Sequence, residues 1–240
     1  MNLVQSSDFD PLEQHIKVER DKYDAHLAFE KQPRKFMEKF GRKIITDMCF
    51  DANGHLCETP FGRKLDIHAG IDCFTAKDNM PDFTYPEVSE RFKNRFKINE
   101  YDIKALALRG RFEDRDTFTV RVEKASGYDT ELHKLIERVR NNELLRPDLT
   151  LQFCMPGGKL SSIAVIKTDD LVNYIDRTIG DRYKTQPGEW DKYGREKWEF
   201  VKGRTDTDFL SVSWYGLRQA GVPMTVYRFP TGDIDNWRIE

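Results

Sequence analysis

The stretch that decides the fold is residues 64–76, which read KLDIHAGIDCFTA. Apolar and polar side chains alternate along it, and a period of two is typical of a half-buried β-strand. The polar positions include Asp66, His68 and Asp72. We therefore expect a strand over residues 64–76 with one apolar face and one acidic face.

A second alternating stretch, residues 101–109, reads YDIKALALR. Asp102 and Lys104 are separated by one residue, so a strand places them on the same face. If the two strands are neighbours, Asp72 joins this pair. Two converging carboxylates are costly without a counter-ion, and oxygen ligands suit Mg²⁺ or Mn²⁺. The residues predict a metal site, unless Asp102 and Lys104 form only an exposed ion pair.

Further elements follow from periodicity and from turn residues on either side of these strands. Predicted helices cover 11–30, 34–49, 129–141 and a short segment starting at Thr168; predicted strands cover 117–124, 149–155 and 161–167; predicted loops cover 78–97 and 181–200. This order favours an α/β or α+β fold with a mixed central sheet flanked by helices.

Composition limits the class of protein. The 240 residues carry a net charge of −2, which excludes a wholly basic binder but not a local basic surface. No apolar run approaches the roughly 18 residues that span a bilayer, and the N-terminus lacks a signal-peptide pattern. We expect a cytoplasmic chain with reduced cysteines and no membrane partner. A zinc site at Cys49, His55 and Cys57 lacks a clear fourth ligand.

Basic residues cluster locally. Residues 31–45 hold six basic side chains against one acid, and residues 91–115 hold eight against four, with aromatic residues interleaved. Such a mixture suits phosphate contacts and base stacking, although a solvated helix face gives the same pattern. The candidate DNA contacts are Arg91, Lys93, Arg95, Lys97, Arg109 and Arg111.

The pairing of Gly70-Ile71-Asp72 with Tyr101-Asp102-Ile103-Lys104 resembles the PD-(D/E)xK nuclease superfamily, which has the restriction-endonuclease-like fold. The resemblance implies that Asp72 and Asp102 are metal ligands, that Lys104 is the catalytic lysine, and that Glu38 is an auxiliary acid. It also suggests a phage or mobile-element protein. Asp82, which follows a proline, is the alternative first acid. We prefer Asp72 because Asp82 lies in a proline-rich stretch.

The resulting hypothesis is a Mg²⁺- or Mn²⁺-dependent endonuclease that hydrolyses DNA phosphodiester bonds. It divides the chain into an N-terminal helical extension (1–30), a nuclease-like core (31–175) and an aromatic-rich C-terminal elaboration (176–240). His68 and Gln152 are lesser candidates for the site. The alternative is an inactive nuclease-fold protein that binds nucleic acid, or a host or defence protein through its C-terminal region, where Trp190 and Trp198 are candidate contacts.

Overall fold

The computed structural model describes residues 31–50, 56–94, 101–124, 130–203 and 207–240. The predicted helix over 11–30 and the side chains of Arg95 and Lys97 lie outside these ranges. In the described part of the chain, no helix is both long and apolar enough to cross a bilayer.

Helices and strands follow one another as a mixture along the chain. The helices are α1 (31–38), α2 (Pro60–Ala69), α3 (Tyr85–Lys93), α4 (Glu131–Arg140), α5 (Thr168–Tyr174), which continues as a π-helix (Ile175–Ile179), and α6 (Trp214–Gln219). The strands are β1 (Arg42–Ile45), β2 (Met48–Phe50), β3 (Leu56–Glu58), β4 (Cys73–Lys77), β5 (Lys104–Arg111), β6 (Thr117–Lys124), β7 (Leu149–Cys154), β8 (Ser162–Lys167), β9 (Gly188–Trp190), β10 (Glu196–Val201), β11 (Thr207–Ser213), β12 (Met224–Arg228) and β13 (Arg238–Ile239).

The described strands form two large sheets and a two-stranded one, β2-β3. The first has seven strands in the order β1-β4-β5-β7-β8-β12-β13, and the second has four in the order β6-β11-β10-β9. Only β5 and β7 pair in parallel among the strands described for the first sheet. The predicted mixed central sheet with helices is therefore confirmed. Both sheets combine strands from the two sides of the predicted boundary at residue 176.

The core lies on both faces of the first sheet. One face packs against the second sheet, α4 and α5 around the fully buried Trp198 and Trp214. The other face packs against α1 through Phe36 and Met37. A third cluster places α2 and α3 against β4. The second sheet thus meets the first along one side, and the candidate site lies near this junction.

The prediction of one strand over residues 64–76 is wrong in its first half, because residues 60–69 form α2. The Thr59 side chain caps α2 by accepting the Gly62 N–H, and Pro60 occupies its first turn, where proline costs little. Leu65 and Ala69, four residues apart, are buried, as a helix requires. Gly70 ends α2 with a φ of 67°, and only the second half of the stretch becomes β4.

The predicted helix over 34–49 is also wrong beyond residue 38. Gly41 adopts a φ of 63°, which stops the helix, and β1 begins at Arg42. The loop predicted over 78–97 contains the nine-residue α3, and the one predicted over 181–200 contains β9 and most of β10. The predictions of β6, α4, β7 and β8 are confirmed to within two residues.

Gly70 gives a direct test of this local structure. A Cβ at position 70 would lie 3.8 Å from Leu135 Cδ2, an ordinary contact, so the cost of Gly70→Ala comes from the positive φ. We expect a loss of about 1–2 kcal/mol in the free energy of unfolding, measured by denaturant titration. Lys64→Ala, on the exposed side of α2, should change it by less than about 0.5 kcal/mol. Equal values for the two variants would contradict the assigned helix end.

Candidate functional site

A polar cleft of about 400 Å³ opens where the two sheets meet. The end of α2, the residues before β4, the middle of β5, one face of β6 and the first turn of α4 form its walls. Three acidic and three basic side chains line it: Asp66, Asp72, Glu131, Arg109, Arg121 and Lys134. The cleft therefore gathers charges of both signs from α2, α4 and the two sheets.

Arg109 lies at the centre of the cleft and bridges two carboxylates. Its Nη1 is 3.1 Å from Asp72 Oδ2, and its Nη2 pairs with Glu131 Oε1. The backbone N–H of Leu108 also donates to Asp72 Oδ2, at 2.7 Å. The three charged side chains are only 14–29% exposed. Enclosure of this kind makes each ion pair less screened than one on the open surface.

The sequence brings these residues together through strand pairing. β4 and β5 run antiparallel with Cys73 opposite Leu106, and the Asp72 N–H donates to the Leu106 carbonyl. Asp72 therefore lies beside the middle of β5, where Arg109 is. Glu131 is in the first turn of α4, where the helix dipole favours a negative charge.

Burial raises the pKa of Asp72; Arg109 opposes this effect, and the charge of Asp66 adds to it. Burial also raises the pKa of Glu58, with Asp66 and Asp72 contributing in the same direction. A buried carboxyl whose pKa is raised can hold a proton for transfer, which is a common property of catalytic acids.

Gln152 forms hydrogen bonds to two residues that line the cleft. Its side chain is fully buried; Oε1 accepts from the Thr119 backbone N–H at 3.1 Å, and Nε2 donates to the Arg109 carbonyl at 3.3 Å. Arg109 belongs to the first sheet and Thr119 to the second, so this amide ties the two sheets together beneath the site. Gln152, a lesser candidate from the sequence, therefore supports the cleft structurally.

Two charged groups of the cleft, the Asp66 carboxylate and the Arg121 guanidinium, make no hydrogen bond or ion pair with another described residue. Lys134 donates to the Ile67 carbonyl at 3.1 Å. The arrangement places a carboxylate (Asp66), a cation (Arg121) and an acid of raised pKa (Asp72) in one cleft.

The predicted meeting of Asp72 with Asp102 does not occur. Lys104 lies opposite Thr75, and the Lys77 N–H donates to the Tyr101 carbonyl, so Asp102 lies at the far end of β4. Five residues of strand separate the two positions, about 16 Å. The prediction that these carboxylates share a cation is wrong, because the strands pair in the antiparallel direction.

Asp102 instead forms ion pairs at that far end. Its carboxylate is 2.7 Å from Arg42 Nη1 and 3.0 Å from Lys104 Nζ. Asp102 and Lys104 are 40% and 43% exposed, which matches the alternative of a surface pair. Burial alone would raise the pKa of Asp102, but the hydrogen bonds from Arg42 and Lys104 outweigh it and lower the pKa.

The other predicted site acids also lie outside the cleft. Glu38 is exposed on α1, which packs through its other side onto Phe153 and Tyr227. Asp82 is exposed and pairs with Lys43. His68 is exposed near the end of α2, and its ring is not among the groups that line the cleft.

Most of the predicted DNA contacts are engaged within the protein. Arg91 lies 4.1 Å from the Phe83 ring centroid, Lys93 pairs with Glu90, and Arg111 binds Thr117 and Glu113. Among the described residues of that group, Arg109 alone lines the cleft.

Comparison with protein families, characterised proteins and solved structures finds no match. The site is therefore interpreted from its own geometry. In the described part of the chain, no group of three His, Cys, Asp or Glu side chains is placed to hold a metal ion.

Sequence reasoning missed Glu131, Arg121 and Thr119. Arg121 and Thr119 share one face of β6, a strand that was predicted, and Glu131 opens a predicted helix. The signal available was the charge of Glu131 and of Arg121; Thr119 carried none. The missing information was that β6 pairs in the second sheet and lines the same cleft as β5.

The opposite pKa shifts of Asp72 and Asp102 predict opposite pH dependences. Folding raises the pKa of Asp72 above its ordinary value of 3.8, so its stabilising contribution is present below that pH and is lost as pH rises through the folded-state pKa. The unfolding free energy of wild type relative to Asp72→Asn should fall as pH rises above about 4.

Asp102→Asn is the matched control for this titration. Folding lowers the pKa of the wild-type Asp102 carboxyl. The stability that this carboxyl contributes is therefore present above pH 3.8 and is lost as pH falls through the folded-state pKa. Denaturant titrations between pH 3 and 7 should therefore give slopes of opposite sign for the two variants. Slopes of the same sign would show that Asp72 is not the desolvated acid of the cleft.

Proposed function

We propose that this chain is a nuclease that hydrolyses phosphodiester bonds in the cleft formed by α2, β4, β5, β6 and α4. The observation that best supports the proposal is a partly buried carboxyl of raised pKa, Asp72, in one cleft with three cationic side chains. Phosphodiester hydrolysis needs positive charge around the phosphorus and a proton for the leaving oxygen. The cleft has both.

Each group has a role in the proposed reaction. Asp66 accepts a proton from the attacking water, whose oxygen forms the new bond to phosphorus. Asp72 in its protonated form, which the raised pKa makes more populated, gives its proton to the leaving oxygen as the phosphorus–oxygen bond breaks. Arg121 and Lys134 stabilise the charge on the other phosphate oxygens, and Arg109 fixes Asp72 by hydrogen bonding.

The order of elements supports a restriction-endonuclease-like core as part of this proposal. A helix (α2) precedes Asp72 and the strand that follows it (β4), and then come α3, a second strand (β5), a third strand (β6) and a helix (α4). Apart from α3, this is the order that the resemblance implies. A further departure is that β6 pairs in the second sheet with β11. The helix before the acid is α2 and not the basic α1.

The expected Mg²⁺ or Mn²⁺ does not fit the donors present. Asp72 and Asp102 lie at opposite ends of β4, and each is held by an arginine. Within the cleft, Arg109 already bridges Asp72 and Glu131. The steps proposed here are accordingly assigned to side chains alone.

DNA is the proposed substrate because the cleft presents an exposed cation, Arg121, and a cation of this kind suits a backbone phosphate. A cleft of about 400 Å³ lies in the size range of small-ligand sites and accommodates one phosphate with part of its sugar. The rest of the strand would extend over the surface.

Cleavage assays on single- and double-stranded DNA test the proposal. Asp72→Asn should reduce the rate by about 10²–10⁴, the usual contribution of a general acid. Asp102→Asn and Lys104→Ala, at the far end of β4, should leave the rate unchanged. The assays are run with Mg²⁺, with Mn²⁺ and with a chelator.

The reverse pattern, loss in Asp102→Asn and Lys104→Ala with Asp72→Asn active, would place the chemistry at the D-x-K motif and contradict the cleft. Cleavage under none of these conditions would favour the second candidate function.

That second candidate is a binding protein without catalysis. The observation that favours it is the turn between β9 and β10, where Tyr193 is 70% exposed and Trp190 is 45% exposed. Asp191 fixes this turn by accepting from the Tyr193 and Arg195 backbone N–H groups. A protein or nucleic-acid partner would contact Trp190 and Tyr193. The prediction that Trp198 contacts a partner is wrong, because its side chain is fully buried.

A further inference from the structure

The basic segment 31–45 falls into two parts in the structure. Its two cations in β1 are engaged in ion pairs. In α1, by contrast, Lys31, Arg34 and Lys35 are exposed and make no hydrogen bond or ion pair with another described residue. Their spacing of three and four residues places them on one face of the helix. α1 therefore presents a row of cations to the outside of the molecule.

The other face of α1 is buried. Phe36 and Met37 belong to the core, and the Phe36 ring packs against Phe153 of β7 and Tyr227 of β12. These contacts hold α1 on the face of the first sheet that lies opposite the second sheet. The cations of α1 are therefore on the far side of the first sheet from the cleft.

Two exposed rings lie at the end of α1. Phe40 is 43% exposed and Trp237 is 37% exposed, and their ring centroids are 6.2 Å apart. Both rings pack edge-to-face against Tyr227, at 5.6 and 5.2 Å. The ion pair of Lys39 with Asp235 joins the segment of Trp237 to the end of α1. Rings that packing already holds in place lose little freedom when a planar group stacks on them.

Charge favours a polyanion as the ligand of this surface. In α1 and residues 231–238, four cations and two acids make no ion pair with a described residue. They are Lys31, Arg34, Lys35 and Arg238, against Glu38 and Asp233. An anionic membrane would also attract such cations, but a helix binds a bilayer through its apolar face, and that face of α1 is buried against the sheet. A strand of phosphates and bases therefore fits better than a bilayer.

We infer that the exposed cations of α1 and the rings of Phe40 and Trp237 form a surface that binds single-stranded nucleic acid. The cations contact phosphates and the rings stack on bases. Proteins that bind single strands without sequence preference combine these two features, a cationic track and aromatic stacking platforms. Because the surface lies across the first sheet from the cleft, the inference does not rest on the proposed function.

Fluorescence anisotropy tests the inference with a labelled phosphorothioate oligothymidylate of about 12 nucleotides, whose backbone resists hydrolysis. Wild type should bind it at low salt and release it as salt rises. Replacing Lys31, Arg34 and Lys35 together by alanine should make the slope of log K against log salt shallower by about 2, since each phosphate contact on a single strand contributes about 0.7.

The matched control removes the same number of lysines and arginines from other elements. It replaces the exposed Lys64, Lys167 and Arg177 by alanine and should leave the slope unchanged. Both triple variants change only exposed side chains, so the comparison remains decisive if a variant of Trp237 does not fold.

Variants of Trp237 test the stacking. Trp237→Ala should weaken binding about 5- to 150-fold, because one base–aromatic stack is lost. Trp237→Phe keeps an aromatic ring and should bind more tightly than Trp237→Ala. Trp190→Ala removes another exposed indole, from the turn between β9 and β10, and should leave the affinity unchanged.

Absence of binding by wild type at low salt would overturn the inference. So would an effect of the control variants as large as that of the α1 and Trp237 variants, because binding would then lie elsewhere. Binding to phosphatidylserine vesicles but not to the oligonucleotide, lost in the α1 variant, would make this a membrane surface and also contradict the inference. DNA cleavage that depends on Asp72 would stand or fall separately, since it is measured at the cleft.

Discussion

The antiparallel register between β4 and β5 decides which charged residues of this protein meet. With Cys73 opposite Leu106, the residue before β4 lies beside the middle of β5, and the residues before β5 lie beside the end of β4. Asp72 is consequently matched with Arg109, and Asp102 with Arg42. A parallel arrangement would have placed the two aspartates at the same edge of the sheet, as a shared metal site requires.

The rest of the site follows from the junction of two sheets. β6 leaves β5 and pairs with β11 in the second sheet, so its side chains face back across the cleft. Gln152 fixes that junction through Thr119 and the Arg109 carbonyl, and α4 supplies Glu131 from its first turn. The positive and negative charges of the cleft therefore come from α2, the residue before β4, β5, β6 and α4.

The sequence contained much of the fold and one central residue of the candidate site. Period-two alternation identified β6, β7 and β8, and the spacing of apolar residues identified α4, because these elements bury one face. The same alternation misled at residues 64–69, where Thr59, Pro60 and Gly70 make a capped helix that period alone does not reveal. Asp72 was found from its position, but its partners depend on strand direction and sheet assignment, which are long-range properties.

A double-mutant cycle measures the central claim most directly, namely that Asp72 is coupled to Arg109 and not to the Asp102 end of β4. The free energy of unfolding is measured for Asp72→Asn and Arg109→Gln, singly and together, and likewise for Asp72→Asn with Asp102→Asn. The account predicts an interaction energy of about 0.5–3 kcal/mol for Asp72 with Arg109 and near-additivity for Asp72 with Asp102. Additivity of the first pair together with coupling of the second would contradict it.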